Sequence, residues 1–292
     1  MGILNRTPDS FFDGGRYVDE QAARARVLQL VSEGADIVDL GAESTRPGAP
    51  PVSPAEQVAR LAGLVEFAAA HGVCVSIDTT SPEVAAYGLE HGACMVNTVA
   101  LERAAELGAV AAEHGAELVL THCRGSMSTM GGFSAYDPTG YHDVVEDVAR
   151  EWQQAAALAI AQGLAADRLV FDPGLGFTKN ARQSLELCAR LGEFRALGHP
   201  ILVGPSRKSY VAHAVAATLG EPVAEPADRL GGSIAAALLC VERGADIVRV
   251  HDVAVTRQAL AYAAALAAPP TGAAGDAGGG IAELGERGGA GA

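Results

Sequence analysis

No stretch of about 20 uncharged apolar residues occurs in this 292-residue sequence, which excludes a membrane-spanning helix of ordinary length. The segment Met1 to Ser10 carries no basic run followed by an apolar one, so no secretory leader is expected. Positive charge is scarce: 21 Lys and Arg stand against 35 Asp and Glu, for a formal net charge of −14. A field of that sign repels a phosphate backbone, so nonspecific nucleic-acid binding is not expected and an anionic substrate needs a local basic patch. C-x-x-C spacing is missing as well. The five cysteines, Cys74, Cys94, Cys123, Cys188 and Cys240, are scattered and odd in number, which suits small core residues in a reducing compartment better than a disulfide framework. A soluble, cytoplasmic protein is the expectation.

Several catalytic signatures are also lacking. No G-x-S-x-G elbow, P-loop or G-x-G-x-x-G stands between a strand and a helix, and Gly174-Leu175-Gly176-Phe177 is too short a match, so nucleophilic hydrolysis and dinucleotide binding lose ground. Arg249-Val250-His251-Asp252 lacks the spacing of a zinc site. Magnesium carried in by phosphates is compatible with the sequence, because it keeps most of its waters and needs few protein ligands; Asn5 is a candidate oxygen donor.

What is present is a repeated junction: Glu33-Gly34-Ala35-Asp36-Ile37-Val38, His91-Gly92-Ala93-Cys94-Met95-Val96, His114-Gly115-Ala116-Glu117-Leu118-Val119 and Arg243-Gly244-Ala245-Asp246-Ile247-Val248. Each follows an alanine-rich helical stretch. A glycine there takes the left-handed conformation that ends a helix, and the apolar residues beyond it read as a short buried strand. Helix, stop and strand in repetition mean a parallel sheet with helical crossovers. The same reading places strands at Met1–Leu4, Asp36–Leu40, Val73–Ile77, Cys94–Val96, Leu118–Leu120, Leu169–Phe171, Ile201–Val203 and Ile247–Val250. Eight strands suit an α/β fold of the (β/α)8 TIM-barrel type, a single domain over residues 1–268; a doubly wound open sheet is the alternative. The Gly/Ala/Pro-rich tail, 269–292, has no apolar set to bury and is expected to be disordered.

Polar residues cluster just after these strands, at Asn5, Gly41 to Arg46, Asp78, Asn97, His122, Asp172, Ser206-Arg207-Lys208 and Arg249-Val250-His251. A barrel gathers all of them at the C-terminal mouth, where such enzymes build their sites. Segments at about 5–17, 41–52 and 123–141 are long enough to act as lids. Asp78, Asn97 and Asp172 each end an apolar run, so they need partners there. Capping of the next helix is the structural explanation, and Asp78 before Thr79-Thr80-Ser81-Pro82 could supply it. The functional explanation is a planar heterocycle presenting N–H donors along one edge. Ser206-Arg207-Lys208, with Arg249 and His251 on one side of strand eight by alternation and Arg46 from the second loop, forms a basic patch fit for a group such as pyrophosphate.

These residues carry a resemblance that runs from the first residue to about Ala263. MGILNRTPDSFFDGGRY, DIVDLGAESTRPG, VSIDT, VNT, LTHCRG with Met130 beyond it, LVFDPGLGFTKN, ILVGPSRKS and IVRVHDV together resemble the dihydropteroate synthase family of pterin-binding enzymes. The resemblance implies condensation of 6-hydroxymethyl-7,8-dihydropterin pyrophosphate with para-aminobenzoate, giving dihydropteroate and pyrophosphate for folate biosynthesis. By matching position, Asp78, Asn97, Asp172 and Lys208 would hold the pterin. Asn5, Thr45, Arg46, Arg249 and His251 would face pyrophosphate and Mg²⁺, while Thr45, Pro47, Phe177, Lys208 and Ser209 would border the aminobenzoate pocket. Asp78, Lys208, Arg249 and His251 are the implied catalytic set, and a homodimer is implied. Thr98, Arg6, Ala42, Thr178 and Cys123 depart from the family pattern. A pterin-dependent methyltransferase barrel would lack Ser206-Arg207-Lys208 and the Thr45-Arg46-Pro47 loop; a noncatalytic or altered pterin-binding paralogue is the other alternative.

Overall fold

The computed structural model describes residues 1–6, 19–43, 51–125 and 140–267. Thr45, Arg46, Pro47, Met130, most of the three expected lids and the 269–292 tail lie outside the described residues. Among those described, eight parallel strands occur: β1 (Gly2–Asn5), β2 (Ile37–Gly41), β3 (Cys74–Asp78), β4 (Met95–Thr98), β5 (Glu117–Thr121), β6 (Leu169–Asp172), β7 (Leu202–Val203) and β8 (Ile247–Val248). Helices α1 (Glu20–Ser32), α2 (Pro54–Leu61), α3 (Leu64–Ala70), α4 (Pro82–Glu90), α5 (Ala104–His114), α6 (Val144–Ala161), α7 (Ala181–Ala189), α8 (Ser209–Leu219) and α9 (Leu230–Glu242) fill the crossovers, and α10 (Val253–Ala267) follows β8.

Local chemistry sets the helix ends. Asp19, Ser53, Ser81, Asp143 and Asn180 each cap a helix start through a side-chain oxygen, satisfying backbone donors that have no partner inside the helix. The four junction glycines, Gly34, Gly92, Gly115 and Gly244, all have positive φ, at 86°, 106°, 63° and 108°. Only a residue without Cβ adopts that backbone at no steric cost, so these stops are written locally.

Pairing in sequence order joins β1 through β6, and β7 pairs with β8. Bridges from Phe171 to Ile201 and from Gly2 to Val250, with Phe171 N–H donating to Pro200 O at 2.9 Å and Ile3 N–H to Val250 O at 3.0 Å, close the ring. Closure removes the open-sheet alternative. The strands lie within a residue or two of the expected spans; β8 as a continuous strand ends at Val248, with Arg249 N–H still donating to Val203 O at 2.8 Å and Val250 bridging Gly2.

Strand alternation then sorts the side chains. Leu40, Ile77, Val96, Leu120 and Phe171 pack outward against the helices. Inward, Met1, Ile37, Cys74, Met95, Val119, Val170, Leu202 and Ile247 form a separate cluster that plugs the barrel, one residue in or beside each strand. The next inward positions toward the C-terminal end are Asp39, Ser76, Asn97, Thr121, Asp172 and Arg249. An apolar floor thus lies under a polar mouth. No helix among the described residues is long and apolar enough to cross a membrane.

The cysteine expectation is overturned in part. Cys74 and Cys94 form a disulfide between the starts of β3 and β4, while Cys123, Cys188 and Cys240 are free. Parallel pairing brings residues 20 apart in sequence to a Cα separation of 6.1 Å. Closing a loop of that length is worth about 3 kcal/mol in the chain-entropy description. Reduction, or Cys74→Ser, is therefore expected to lower the melting temperature by roughly 6–12 °C for a chain of this size. Thiol titration of denatured, unreduced protein should give three groups; five groups and an unchanged melting temperature would refute the pairing.

Candidate active site at the C-terminal mouth

The mouth is built around Arg249. Its Nε donates to Asp39 Oδ2 and its Nη2 to Asp78 Oδ2, both at 2.6 Å. Burial disfavours its charge, but Asp39 and Asp78 outweigh that and raise its pKa. Burial lifts the Asp78 carboxyl to about 7, with Arg249 pulling the other way and the Asp39 carboxylate adding to the rise. Arg249 therefore faces carboxylates here, instead of standing as the unpaired cation that alternation alone suggests.

Asp39 was missed from the sequence, although the signal was present: an acid in the interior of the apolar run Ile37-Val38-Asp39-Leu40. It is fully buried, and besides Arg249 it accepts from Asn97 Nδ2 at 3.1 Å. That bond fixes the Asn97 amide, because a carboxylate can only accept. Asn97 Oδ1 is consequently turned away from Asp39, and it is buried without a hydrogen-bond partner among the described residues. Such an oxygen calls for a donor from a ligand.

Across the mouth, Asp172 ends β6 almost fully buried. Its Oδ1 accepts from Gly174 N–H at 2.8 Å and its Oδ2 from Thr121 Oγ1 at 3.2 Å. Burial raises its pKa, opposed by Lys208 and these hydrogen bonds. Lys208 sits at the start of α8 with Nζ donating to Leu175 O at 2.6 Å and lying 4.2 Å from the centre of the Phe177 ring. Burial lowers its pKa to about 8, against the pull of Asp172. Phe177 packs with Val99 and Cys123 in a small apolar cluster beside it, and Ser209 opens α8 next to Lys208. Asp78 does not cap α4; Ser81 does. The capping explanation therefore fails for it.

Two basic-patch expectations change. Arg207 is buried and spans both oxygens of Asp252, Nε to Oδ2 at 2.8 Å and Nη2 to Oδ1 at 2.9 Å, with Nη1 on two carbonyls before α9. It ties the β7 loop to the start of α10. His251 follows β8, with Nδ1 3.0 Å from Ser206 Oγ. Burial, reinforced by Arg249, depresses its pKa to about 3, so the ring is neutral near pH 7. His122 is held by Glu151 and Lys179 and orients neighbouring loops. Arg6 reaches the Arg60 carbonyl at the end of α2, and Thr98 Oγ1 accepts from Ala100 N–H at 3.1 Å.

The chemistry of Asn5 fits a hard cation. A methyl built on Gly41 would come 2.8 Å from Asn5 Oδ1 and 3.7 Å from Asp78 Oδ2, so an amide and a carboxylate oxygen share one corner of the mouth. No group of three His, Cys, Asp or Glu that could hold a metal converges among the described residues. Two oxygens suit magnesium that arrives on a phosphate and keeps its waters.

Comparison with known proteins agrees with this geometry. Residues 1–251 match the model of the pterin binding enzyme family. A dihydropteroate synthase of Synechocystis is 39% identical over 91% of this chain and 89% of its own length, and that of Escherichia coli is 40% identical over 89% and 88%. A longer bifunctional folylpolyglutamate synthase/dihydropteroate synthase of Haloferax volcanii is 42% identical over 253 residues, 29% of that protein. The Yersinia pestis dihydropteroate synthase, solved with a sulfonamide drug complex, superposes with a TM-score of 0.82 at 34% identity, covering 91% of this chain and 92% of its own. The Thermus thermophilus enzyme in complex with 4-aminobenzoate gives 0.77 at 39%, covering 91% and 93%.

Fold and matches together define an enzyme of the (β/α)8-barrel class. The chain belongs to the pterin binding enzyme family and, within it, to the dihydropteroate synthases, which are transferases of folate biosynthesis.

Proposed function

We propose that the condensation of 6-hydroxymethyl-7,8-dihydropterin pyrophosphate with para-aminobenzoate takes place at this mouth, with the residues divided between three subsites. The observation that carries the proposal is the pinned Asn97 amide, whose buried Oδ1 lacks a protein donor among the described residues and stands among the Asp78 and Asp172 carboxylates. Three acceptors at one mouth match the N–H edge of a pterin, and Lys208 would meet a ring acceptor. Phe177, Lys208 and Ser209 would border the aminobenzoate, with Thr45 and Pro47. Asn5, Arg249 and His251 would lie toward pyrophosphate, with Thr45 and Arg46.

In the reaction the bond from the pterin methylene to the pyrophosphate oxygen breaks, and the aryl amine forms a C–N bond to the methylene and loses a proton. Arg249 would stabilise the departing anion, an effect of about 3–4 kcal/mol for a well-placed donor. The Asp78 carboxylate would offset positive charge at the methylene. Magnesium held at Asn5 would, when bound, supply further neutralisation of the pyrophosphate. No covalent enzyme intermediate is required.

Purified chain with Mg²⁺ and both substrates should release pyrophosphate and the coupled product in equal amounts, and neither without para-aminobenzoate. Pterin binding without turnover would favour the noncatalytic paralogue. With Asp78 at about 7 and Lys208 at about 8, kcat/KM should rise with pH as Asp78 ionises and fall as Lys208 loses its proton. Lys208→Arg should remove the alkaline limb; a flat profile between pH 6 and 9 would refute these assignments.

A homodimer also belongs to the proposal. Helices α8 to α10 expose Leu219, Leu239, Tyr262 and Leu266, at 62%, 47%, 71% and 76%, apolar side chains that a partner copy would cover. Light scattering should give twice the 29.7 kDa chain mass; the single mass would contradict it. Cytoplasmic residence goes with charged substrates that do not cross a bilayer unaided, and the Cys74–Cys94 pair pulls the other way.

A further inference from the structure

Lys179 is fully buried, and among the described residues its charge is absorbed by no carboxylate in contact with it. Its Nζ lies 2.9 Å from His122 Nδ1, 3.1 Å from His122 O, 3.2 Å from Gly174 O and 3.0 Å from Phe177 O. Taking an ammonium out of water costs several kcal/mol unless the protein replaces its hydration. Here three carbonyls and a ring nitrogen replace part of it, and burial still lowers the Lys179 pKa to about 7. The tautomer of that ring follows from its other neighbour. Glu151 Oε2 lies 3.0 Å from His122 Nε2, and a carboxylate can only accept, so the proton sits on Nε2 and the lone pair on Nδ1 faces Lys179.

Two of the three carbonyls belong to the turn between β6 and α7, and that turn cannot hold its own shape cheaply. Gly174, Gly176 and Thr178 all have positive φ, at 68°, 79° and 48°, and for threonine that conformation is strained. Gly174 also passes so close to the end of β5 that a Cβ on it would lie 1.9 Å from His122 O. Converging carbonyl dipoles repel one another unless a cation lies among them. The same turn displays three groups toward the mouth: Gly174 N–H on Asp172, Leu175 O under Lys208 Nζ, and the Phe177 ring against Lys208.

We propose that Lys179 is a positioning residue for the aminobenzoate pocket, an internal ammonium that gathers the carbonyls of His122, Gly174 and Phe177 and so sets where Phe177 and Lys208 stand. It touches neither substrate. The inference rests on the assignment of Phe177 and Lys208 to that pocket, and it adds a residue that acts through them.

The test uses the full chain carrying Lys179→Met, similar in length and without charge. Steady-state kinetics should show KM for para-aminobenzoate raised at least about tenfold, a larger factor than any loss in kcat at saturation or in calorimetric affinity for the pterin pyrophosphate, because Phe177 faces only the aminobenzoate while Lys208 and Asp172 keep their other partners. Hydrogen exchange of amides 174–178 should speed up at least about tenfold while strand amides keep their protection. Lys179→Ala should recover KM with added methylammonium, which can refill the carbonyl cage. Unchanged exchange at 174–178 in folded Lys179→Met overturns the proposal, as does unchanged KM in a variant whose wild-type control saturates with para-aminobenzoate. A wild type that does not saturate would sink the pocket assignment instead, and the exchange experiment would still decide whether Lys179 holds the turn.

Discussion

Asp172→Asn is expected to weaken binding of the pterin pyrophosphate by about 10²–10³-fold, with the fold intact. The substitution preserves shape: the asparagine Oδ1 can still accept from Gly174 N–H, and the Thr121 hydroxyl, which now donates to Asp172 at 3.2 Å, can rotate to accept from the new amide. What changes is the face presented to the ligand. A charged acceptor becomes a neutral group carrying donors, so a pterin N–H loses a charge-assisted bond worth about 1.5–3 kcal/mol and meets another donor at a cost of about 1–3 kcal/mol. About 3–4 kcal/mol corresponds to the stated loss. Calorimetry against the pterin pyrophosphate checks it. An affinity within about threefold of wild type, in a variant with unchanged melting temperature, would remove Asp172 from the pterin subsite.

Arg249→Ala should damage both stability and turnover, and the two effects should separate. Asp39 and Asp78 each sit 2.6 Å from the guanidinium, and deleting one partner of a buried ion pair costs about 3–5 kcal/mol, which lowers the melting temperature by on the order of 10 °C. Turnover should fall by about 10²–10³-fold, because the positive charge proposed to stabilise the departing anion is gone. Adding Asp39→Asn to Arg249→Ala removes one of the stranded carboxylates, so it should recover part of the lost stability without recovering turnover. Binding of the free pterin alcohol should suffer less than the reaction. Equal losses in free-pterin affinity and in turnover would mean that Arg249 shapes the cavity and does not assist departure of the anion.

Both predictions turn on residues read from the sequence, yet they needed different information. Asp172 stood out because it ends an apolar strand run, and the structure places it there, buried at the end of β6. Arg249 was visible as a cation after strand eight, but its role depends on Asp39, which lies 210 positions earlier inside a run that reads as plain strand. Arg207 shows the same effect reversed. It looks like half of a basic pair beside Lys208, and Asp252, 45 positions on, claims it. Adjacent charges in a sequence say nothing about which of them a distant carboxylate will neutralise.

The chain by itself determined the barrel's rhythm and the polarity of its mouth. A helix stop is a steric event within a few residues, as the positive φ of Gly34, Gly92, Gly115 and Gly244 attests, and strand alternation carries the faces of Asp78, Asn97 and Asp172 directly. Only the closed ring decided which charges meet, that Cys74 and Cys94 pair, that Asn97 is turned by Asp39, and that Lys179 lies within a cage of carbonyls. Those are matters of distance through space between segments far apart along the chain, and Coulomb and hydrogen-bond energies follow that distance and not the separation in sequence.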